Sequence, residues 1–565
     1  KMNARLPVER EMMGMAALPL QLVEEVVARV AQRRGMRASQ TRAVLRGLTR
    51  KVTVIQGPPG TGKTFTAACL LEALVTIRTM MMSSKPTESP SAQPTDKLSQ
   101  DQPLEQLEPL EPLEIDGLEE GVVADGWDAI LATAHSNGAT DNLMQKLLSS
   151  NELTVVRVGR ATTVTPALRG HCLEGLIEKT PGVIEVRKRM VFVDLSIASS
   201  QGVKQELAAE RKKATVSILK RADVIVASLV GAGHEQLLAT MREHRIRFHT
   251  VIIDEATQAV EPACLIPLHQ GTQRLIMVGD QCQLPPTVTS RDARNAGLGR
   301  SLFERLVAGG LKTELLTVQF RMHPLLADFS SAHFYNGCLA SHPAPEDRVQ
   351  PPGFPWPQRG VPLAFVAVRP HAMGHESSSQ HSTSFQNIPE AMIVAQTVER
   401  LVAAGVAPGD IGVMTPYSAQ VNLLNQLLNE RLMISCPEAA GMVECSSVDA
   451  FQGREKEVVI ISTVRSNTMA ALGFLTDWRR LNVAITRARS GMIIVGDRDT
   501  LLVDRYWGRL LAFIGSKQAI LLEQDLLDHF AAEPLQSLGR MALRRSNTNF
   551  LLDPASGLEM EDRIQ

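Results

Sequence analysis

Val52-Thr-Val-Ile-Gln56 runs straight into Gly57-Pro-Pro-Gly-Thr-Gly-Lys63-Thr64. The first five residues read as a short, mostly apolar strand. The next eight fit the spacing G-x-x-x-x-G-K-[ST]. Gly57, Pro58, Pro59, Gly60, Thr61 and Gly62 form a turn whose backbone N–H groups can converge on a phosphate. The helix expected over Lys63–Thr76 offers its N-terminal dipole to the same charge. Lys63 can bridge β and γ phosphates, and Thr64 can ligate Mg²⁺. A chance glycine-rich turn is the bland reading, and the strand before and helix after argue against it. Such a loop sits at the end of a parallel strand, so these residues decide the fold class.

Outward from the loop, strand-like apolar runs recur at 129–132, 155–158, 224–227, 250–253, 275–278, 411–414, 458–462 and 492–495. Polar helical stretches separate most of them, including Gln40–Leu48 just before the first strand. Continuous apolar strands alternating with helices predict parallel sheets covered on both faces. Two such sets are visible, giving an α/β chain with two tandem lobes. The expected divisions are an N-terminal helix and connector over 1–38, a first lobe over 39–310, a second lobe over 311–515 and a C-terminal extension over 516–565. Residues 166–221 read as a mostly helical insertion on the first sheet, and the tail from Arg540 as mobile.

The 565 residues are 44% hydrophobic and 21% charged, enough for a buried core and too apolar for global disorder. Aromatics make up 4%, which disfavours a β-sandwich or a carbohydrate-stacking surface. No window reads as the ~18 apolar residues of a membrane span, and no signal peptide is evident. The cysteines at 69, 172, 264, 282, 338, 436 and 445 are scattered, which predicts reduced thiols in a cytosolic or nuclear compartment and no structural zinc. His371, His375 and His381 lie in a Ser-rich loop without a nearby cysteine, a weak metal candidate. The chain begins with Lys1, as a fragment or processed product would.

Net charge is −1, and the average hides an asymmetry. Residues 83–120 hold ten Asp/Glu, two Lys and six Pro, which predicts a solvated, disordered insertion. Without it the chain has 57 basic and 50 acidic residues, a mild excess compatible with a polyanion partner.

Val251-Ile-Ile-Asp254-Glu255-Ala-Thr-Gln258 supplies the second half of a nucleotide site. An apolar strand ending in Asp-Glu sets Asp254 at the metal and Glu255 where it can activate water as general base. Alone, such a pair is usually a solvated turn. Beside a phosphate loop it reads as catalytic.

Further stretches are Gly279-Asp-Gln-Cys-Gln283-Leu-Pro-Pro286, Gln319-Phe-Arg321-Met-His-Pro324 and Gly412-Val-Met-Thr415-Pro-Tyr-Ser-Ala-Gln420. They are followed by Val448-Asp-Ala-Phe-Gln452-Gly-Arg-Glu455-Lys456 and Leu481-Asn-Val-Ala-Ile-Thr-Arg487-Ala-Arg489. In order and spacing the set resembles superfamily 1 helicases, in the branch containing the RNA-surveillance helicase of nonsense-mediated decay. The resemblance implies two RecA-like lobes with ATP and Mg²⁺ as cofactors. It casts Arg321 and Arg487 as γ-phosphate sensors, Gln283 as the coupling glutamine and Gln40 as the adenine reader. Phe320 stands where the family commonly has tyrosine, which keeps a ring to stack on adenine. Glu455 is implied as a ribose or cleft contact, with a solvated carboxylate as the alternative.

The same resemblance runs a single strand past Thr133, Ser136, Asn137, Ser228, Val230, Thr415, Pro416 and Tyr417. Loop or helix capping is the bland reading for each. The implied activity is ATP-dependent 5′-to-3′ helicase action on single-stranded RNA, with RNA-decay factors as partners and no membrane. The alternatives are a DNA-directed or dual-specificity helicase of the same branch, and an ATP-gated RNA clamp that barely hydrolyses. The surveillance helicase also carries a zinc module and a β-barrel that this sequence does not show.

Overall fold

The computed structural model describes residues 20–83, 128–149, 153–192, 197–244, 246–269, 271–369, 376–378, 384–533 and 535. The acidic stretch from residue 84 to 120, the three loop histidines and the tail from Arg540 lie outside the described residues. The chain divides into two compact units. Lys1–Gln56, Lys63–Gly279 and Pro286–Leu315 make the first; Gly57–Gly62, Asp280–Pro285 and Leu316–Gln565 make the second.

The first unit is built on β1 (Val52–Gln56), β2 (Asp128–Ala134), β3 (Val155–Val158), β4 (Val224–Ser228), β5 (Arg247–Asp254), β6 (Arg274–Gly279) and β7 (Thr313–Leu315). They lie in the order β3-β4-β2-β5-β6-β1-β7, every pairing parallel. Alternate residues face opposite ways, so Leu131, Ile225, Val251 and Met277 enter one apolar core. Ile130, Val226, Ile252 and Ile276 are buried as well, as a sheet covered on both faces requires. Each such side chain contributes roughly 1.5–3 kcal/mol by leaving water.

Three helices precede or follow β1: α1 (Leu20–Arg34), α2 (Ala38–Thr49) and α3 (Lys63–Ser83). Ala67, Cys69, Leu70, Leu71 and Ala73 of α3 are fully buried. Glu72 is buried too and takes ion pairs from Arg33 and Arg34, which ties α1 to α3. One sequence expectation is corrected here, because Lys63–Met81 is long and apolar enough by composition to resemble a membrane span. Its burial among α1, α2 and the sheet explains that composition: a helix covered on most sides is apolar on most sides.

Residues 137–148 form α4 (Asn137–Leu148) after β2. Beyond β3 come α5 (Leu173–Glu178), α6 (Pro181–Phe192) and α7 (Ile197–Arg221).

In the second unit β8 (Val318–Gln319) pairs with β9 (Ala340–Ser341), and β11 (Glu376–Ser378) pairs antiparallel with β12 (Phe385–Asn387). Its main sheet holds β10 (Leu363–Ala367), β13 (Ile411–Thr415), β14 (Glu444–Ser447), β15 (Lys456–Ser462), β16 (Ala488–Gly496) and β17 (Ile520–Leu522). The order is β14-β13-β15-β16-β10-β17, again all parallel. Along β10, Leu363, Phe365 and Ala367 join one core while Ala364 and Val366 join another, so this sheet also is covered twice. The sequence pattern did not single out β10, β14 or β17.

Candidate functional site

The nucleotide-binding chemistry begins at the first residues of α3. Thr64 donates its hydroxyl to Asp254 Oδ2 at 2.7 Å, across 190 residues of sequence. Asp254 ends β5 and is buried. Burial, and then the neighbouring Glu255, push its carboxyl up to about 6, against the Thr64 hydrogen bond and Lys63. A hydroxyl oxygen and a desolvated carboxylate are what a hard divalent cation takes up, so Thr64 and Asp254 fit Mg²⁺.

Glu255 adopts a left-handed backbone conformation with φ 51°. A non-glycine residue held there carries backbone strain, of the kind found where a side chain must be aimed. Gln258 Nε2 donates to Glu255 Oε2 at 3.0 Å and fixes the carboxylate. His135 lies within the field of Glu255; burial lowers its pKa, and Glu255 opposes that shift. Gln40 is buried on α2, and its Oε1 accepts from Arg37 N at 3.0 Å, closing the start of that helix.

The glycine-rich turn itself falls in the second unit. Gly60 has φ +74°, and a Cβ there would lie 2.8 Å from Arg321 Cβ and 3.3 Å from Arg321 N. Gly60 O accepts from Phe320 N at 2.9 Å. The turn carrying Phe320 and Arg321 is built by Gln319, whose Oε1 accepts from the backbone of Arg321 at 2.8 Å and of Met322 at 2.7 Å. The Phe320 ring lies 5.0 Å from that of His342.

Arg321 is fixed at two points: its Nε donates to Glu455, and its Nη1 donates to Thr486 O at 2.9 Å. Arg489 Nη2 reaches the other oxygen of the same carboxylate at 2.5 Å. Burial would raise the pKa of Glu455, but Arg321 and Arg489 hold it down at about 2. The sequence reading offered Glu455 as a ribose or cleft contact; the structure gives it two arginine partners.

Arg487 is buried, with Nε on Val483 O at 2.9 Å and Nη2 facing Gln283 Oε1 at 3.4 Å. Gln283 Nε2 donates to Asp280 Oδ2 at 2.7 Å, and Tyr335 donates its hydroxyl to the same oxygen at 2.7 Å. Asn482 Nδ2 in turn donates to Tyr335 at 2.8 Å. Sequence reasoning missed Asp280, Tyr335 and Asn482 as partners. Asp280 and Asn482 sit inside quoted motifs, which was the available signal.

Comparison with known proteins adds the family. A family described as "AAA domain" matches residues 35–191 and 194–291, and a second of the same description matches 298–499. The chain is 35% identical over 490 residues to the regulator of nonsense transcripts 1 homolog of Drosophila melanogaster, covering 86% of this chain and 36% of that protein. It is 36% identical over 493 residues to the ATP-dependent helicase NAM7 of Saccharomyces cerevisiae, covering 85% and 44%. The regulator of nonsense transcripts 1 of Dictyostelium discoideum is 33% identical over 539 residues, covering 92% and 36%. The two AAA-domain matches together run from residue 35 to 499, and over most of its length the chain is similar to helicases and regulators of nonsense transcripts. It spans 36 to 44% of the length of these three relatives.

The family's expected strand contacts divide into two groups. Ser136 caps α4 by accepting from Ala139 N at 3.2 Å, and Asn137 Oδ1 accepts from the buried Arg157 at 3.0 Å. Ser228 Oγ accepts from Gly231 N at 3.1 Å, and Tyr417 is buried with its hydroxyl on Leu472 O at 3.2 Å. Those four side chains are engaged locally. Thr133 and Thr415 lie at the carboxyl ends of β2 and β13, buried, and their hydroxyls have no partner among the described residues. Val230 is 68% exposed and Pro416 is half-buried.

Proposed function

We propose that this chain is an ATP-dependent helicase that translocates 5′ to 3′ on single-stranded nucleic acid, with RNA as its strand. The carrying observation is the 2.7 Å hydrogen bond from Thr64 to Asp254, which sets the hydroxyl after the phosphate-loop lysine against the carboxylate ending β5. Thr64 and Asp254 would hold Mg²⁺. When bound, the ion offsets charge on the β- and γ-phosphate oxygens.

Lys63 neutralises the same phosphates, and Glu255, oriented by Gln258, accepts the proton of the attacking water. Gln40 and Phe320 serve the adenine. Arg321 and Arg487 meet charge that grows on the transferred phosphoryl group, and Gln283 passes that contact to the rest of the motor. Glu455 holds Arg321 in place. For the strand, the contacts proposed are Thr133 and Val230 in the first unit and Thr415 and Pro416 in the second. Ser136, Asn137, Ser228 and Tyr417 shape the chain at and just beyond the ends of β2, β4 and β13.

Relatives named as regulators of nonsense transcripts support mRNA surveillance as the setting, and from that setting we infer the cytoplasm as the compartment and RNA-decay factors as partners. The test is strand-stimulated ATP hydrolysis and unwinding of matched RNA and DNA duplexes with 5′ overhangs. Lys63→Ala is expected to abolish hydrolysis, and Glu255→Gln to bind ATP without turning it over. Near wild-type hydrolysis by Glu255→Gln in the presence of single strands overturns the base assignment. Absence of 5′-dependent unwinding by the wild type overturns the helicase reading.

A further inference from the structure

Phe474 is 57% exposed, and the chain around it leaves the ring no way inward. It sits in the short turn Gly473–Thr476, between Leu472 and Leu475, which are both buried in the apolar core of the second unit. Tyr417 donates its hydroxyl to Leu472 O at 3.2 Å, and Trp507 Nε1 donates to Leu475 O at 3.0 Å. Gly473 has φ +56°, and a Cβ there would lie 2.6 Å from Arg465 Nη1 and 2.9 Å from the Tyr417 hydroxyl. The turn is therefore pressed onto Tyr417 and Arg465, with the phenyl ring as its outward element.

An exposed phenylalanine alone is ordinary. Three features separate this one. First, both neighbours are anchored, so the ring is held ready rather than swinging free, and ordering it on binding costs little. Second, the Arg480 guanidinium lies 5.4 Å over the ring and is itself fixed by Asp449 through two 2.9 Å hydrogen bonds. Asp449 and Asp477 pair the guanidinium charge, so Arg480 acts as a fixed planar support for the ring and leaves an aromatic face of the kind on which a base stacks. Third, the step stands at the carboxyl ends of neighbouring parallel strands. Tyr417, 5.8 Å from the Phe474 ring, follows β13, and Arg465 follows β15. In open α/β sheets ligands gather outside those ends. The hydroxyl of Thr415, without a partner among the described residues, belongs to the same edge.

We propose that Phe474 is a base-stacking residue for the single strand: one unpaired base lies on its exposed ring, with Arg480 holding the ring from the other side. The inference rests on the strand-binding function proposed above and adds a residue outside the strand contacts that the family resemblance supplied. Every base has a π-face, so the contact is indifferent to sequence, and it does not touch the sugar, so it is equal for RNA and DNA.

The test measures binding of a labelled 12-nucleotide oligouridylate and of an abasic strand of equal length by fluorescence anisotropy at fixed salt. Urea melts of each variant run alongside. Phe474→Ala is expected to weaken oligouridylate binding by roughly 5- to 150-fold with an unchanged melt, because a stacked base contributes that much. Phe474→Trp keeps a ring and is expected to bind within about threefold of wild type. On the abasic strand the Phe474→Ala penalty should vanish.

Equal affinity of Phe474→Ala and wild type for oligouridylate overturns this inference alone. The same penalty on the abasic strand overturns it too, since Phe474 would then act by shaping the loop. A wild type that binds neither strand overturns the proposed function and this inference together.

Discussion

The hydroxyl of Thr64 donates to the Oδ2 of Asp254 at 2.7 Å, joining the first turn of α3 to the end of β5. Asp254 is buried, with its carboxyl pushed up to about 6 by burial and by Glu255, so in this arrangement it gains from a nearby positive charge. Asp254→Asn removes that demand while keeping the shape. Its expected effect is a tenfold or greater rise in the Mg²⁺ concentration giving half-maximal ATP hydrolysis, with folding retained. A titration of activity against Mg²⁺ checks it, and an unchanged midpoint counts against Asp254 as the metal carboxylate.

At Gly60 the backbone is left-handed and an added Cβ would meet the Arg321 backbone, which cannot give way like a flexible side-chain tip. Gly60→Ala thus combines backbone strain of about 1 kcal/mol or more with a displaced Arg321. Nucleotide affinity and turnover should both fall at least tenfold, by equilibrium ATP binding and steady-state kinetics. Loss of one without the other would mean the loop and Arg321 are not mechanically joined.

Local pattern made the phosphate loop, the Asp254 strand and most of both sheets legible, because those signals lie within ten residues of one another. Glu455 was less legible, since its partner Arg321 lies 134 residues away and nothing near 455 announces it. Ser136 and Ser228 were read as strand contacts, yet each hydroxyl is taken by a backbone N–H three residues on. That competition between capping and binding is decided by turn geometry, which residue type alone does not report. Tyr417 fails to reach solvent for a third reason: the loop returning through Leu472 and Gly473 covers it. β10 escaped notice although residues 363–368 are apolar throughout, because a Pro- and Gly-rich loop leads into it with no helix to mark the alternation; it lies between β16 and β17.

Glu390 is fully buried and accepts hydrogen bonds from Ser462 Oγ at 2.7 Å and Val464 N at 2.8 Å. Val464 needs holding, since this β-branched residue sits at φ 71°. Burial pushes the Glu390 carboxyl up to about 8, against those hydrogen bonds. A carboxyl raised in the folded state keeps its proton there after the unfolded chain has lost it. Its favourable contribution is therefore complete below about pH 4.5 and drains away as pH climbs to about 8. Glu390→Gln cannot titrate. The stability advantage of wild type over Glu390→Gln, by urea unfolding at pH 5.5, 7 and 8.5, should shrink steadily with rising pH. A constant gap would mean Glu390 titrates alike in both states.

Arg321 reaches Glu455 through Nε and Thr486 O through Nη1, so the guanidinium is aimed before any phosphate arrives. Preset aim matters more for charge that appears in the transition state than for ground-state affinity. Glu455→Ala removes one anchor and leaves Arg489 paired with Glu457. Turnover at saturating ATP should drop at least tenfold while KM moves less than threefold. Glu455→Gln keeps an acceptor for Nε and should retain most of the rate, which separates positioning from charge. With the Glu455 carboxyl held at about 2 by the two arginines, the anchor stays ionised throughout the working range. Wild type and Glu455→Gln should then show parallel pH–rate profiles from pH 6 to 9. A Glu455→Ala defect expressed mainly in KM would make Glu455 a nucleotide contact, the role the family resemblance gave it, and not the support of Arg321.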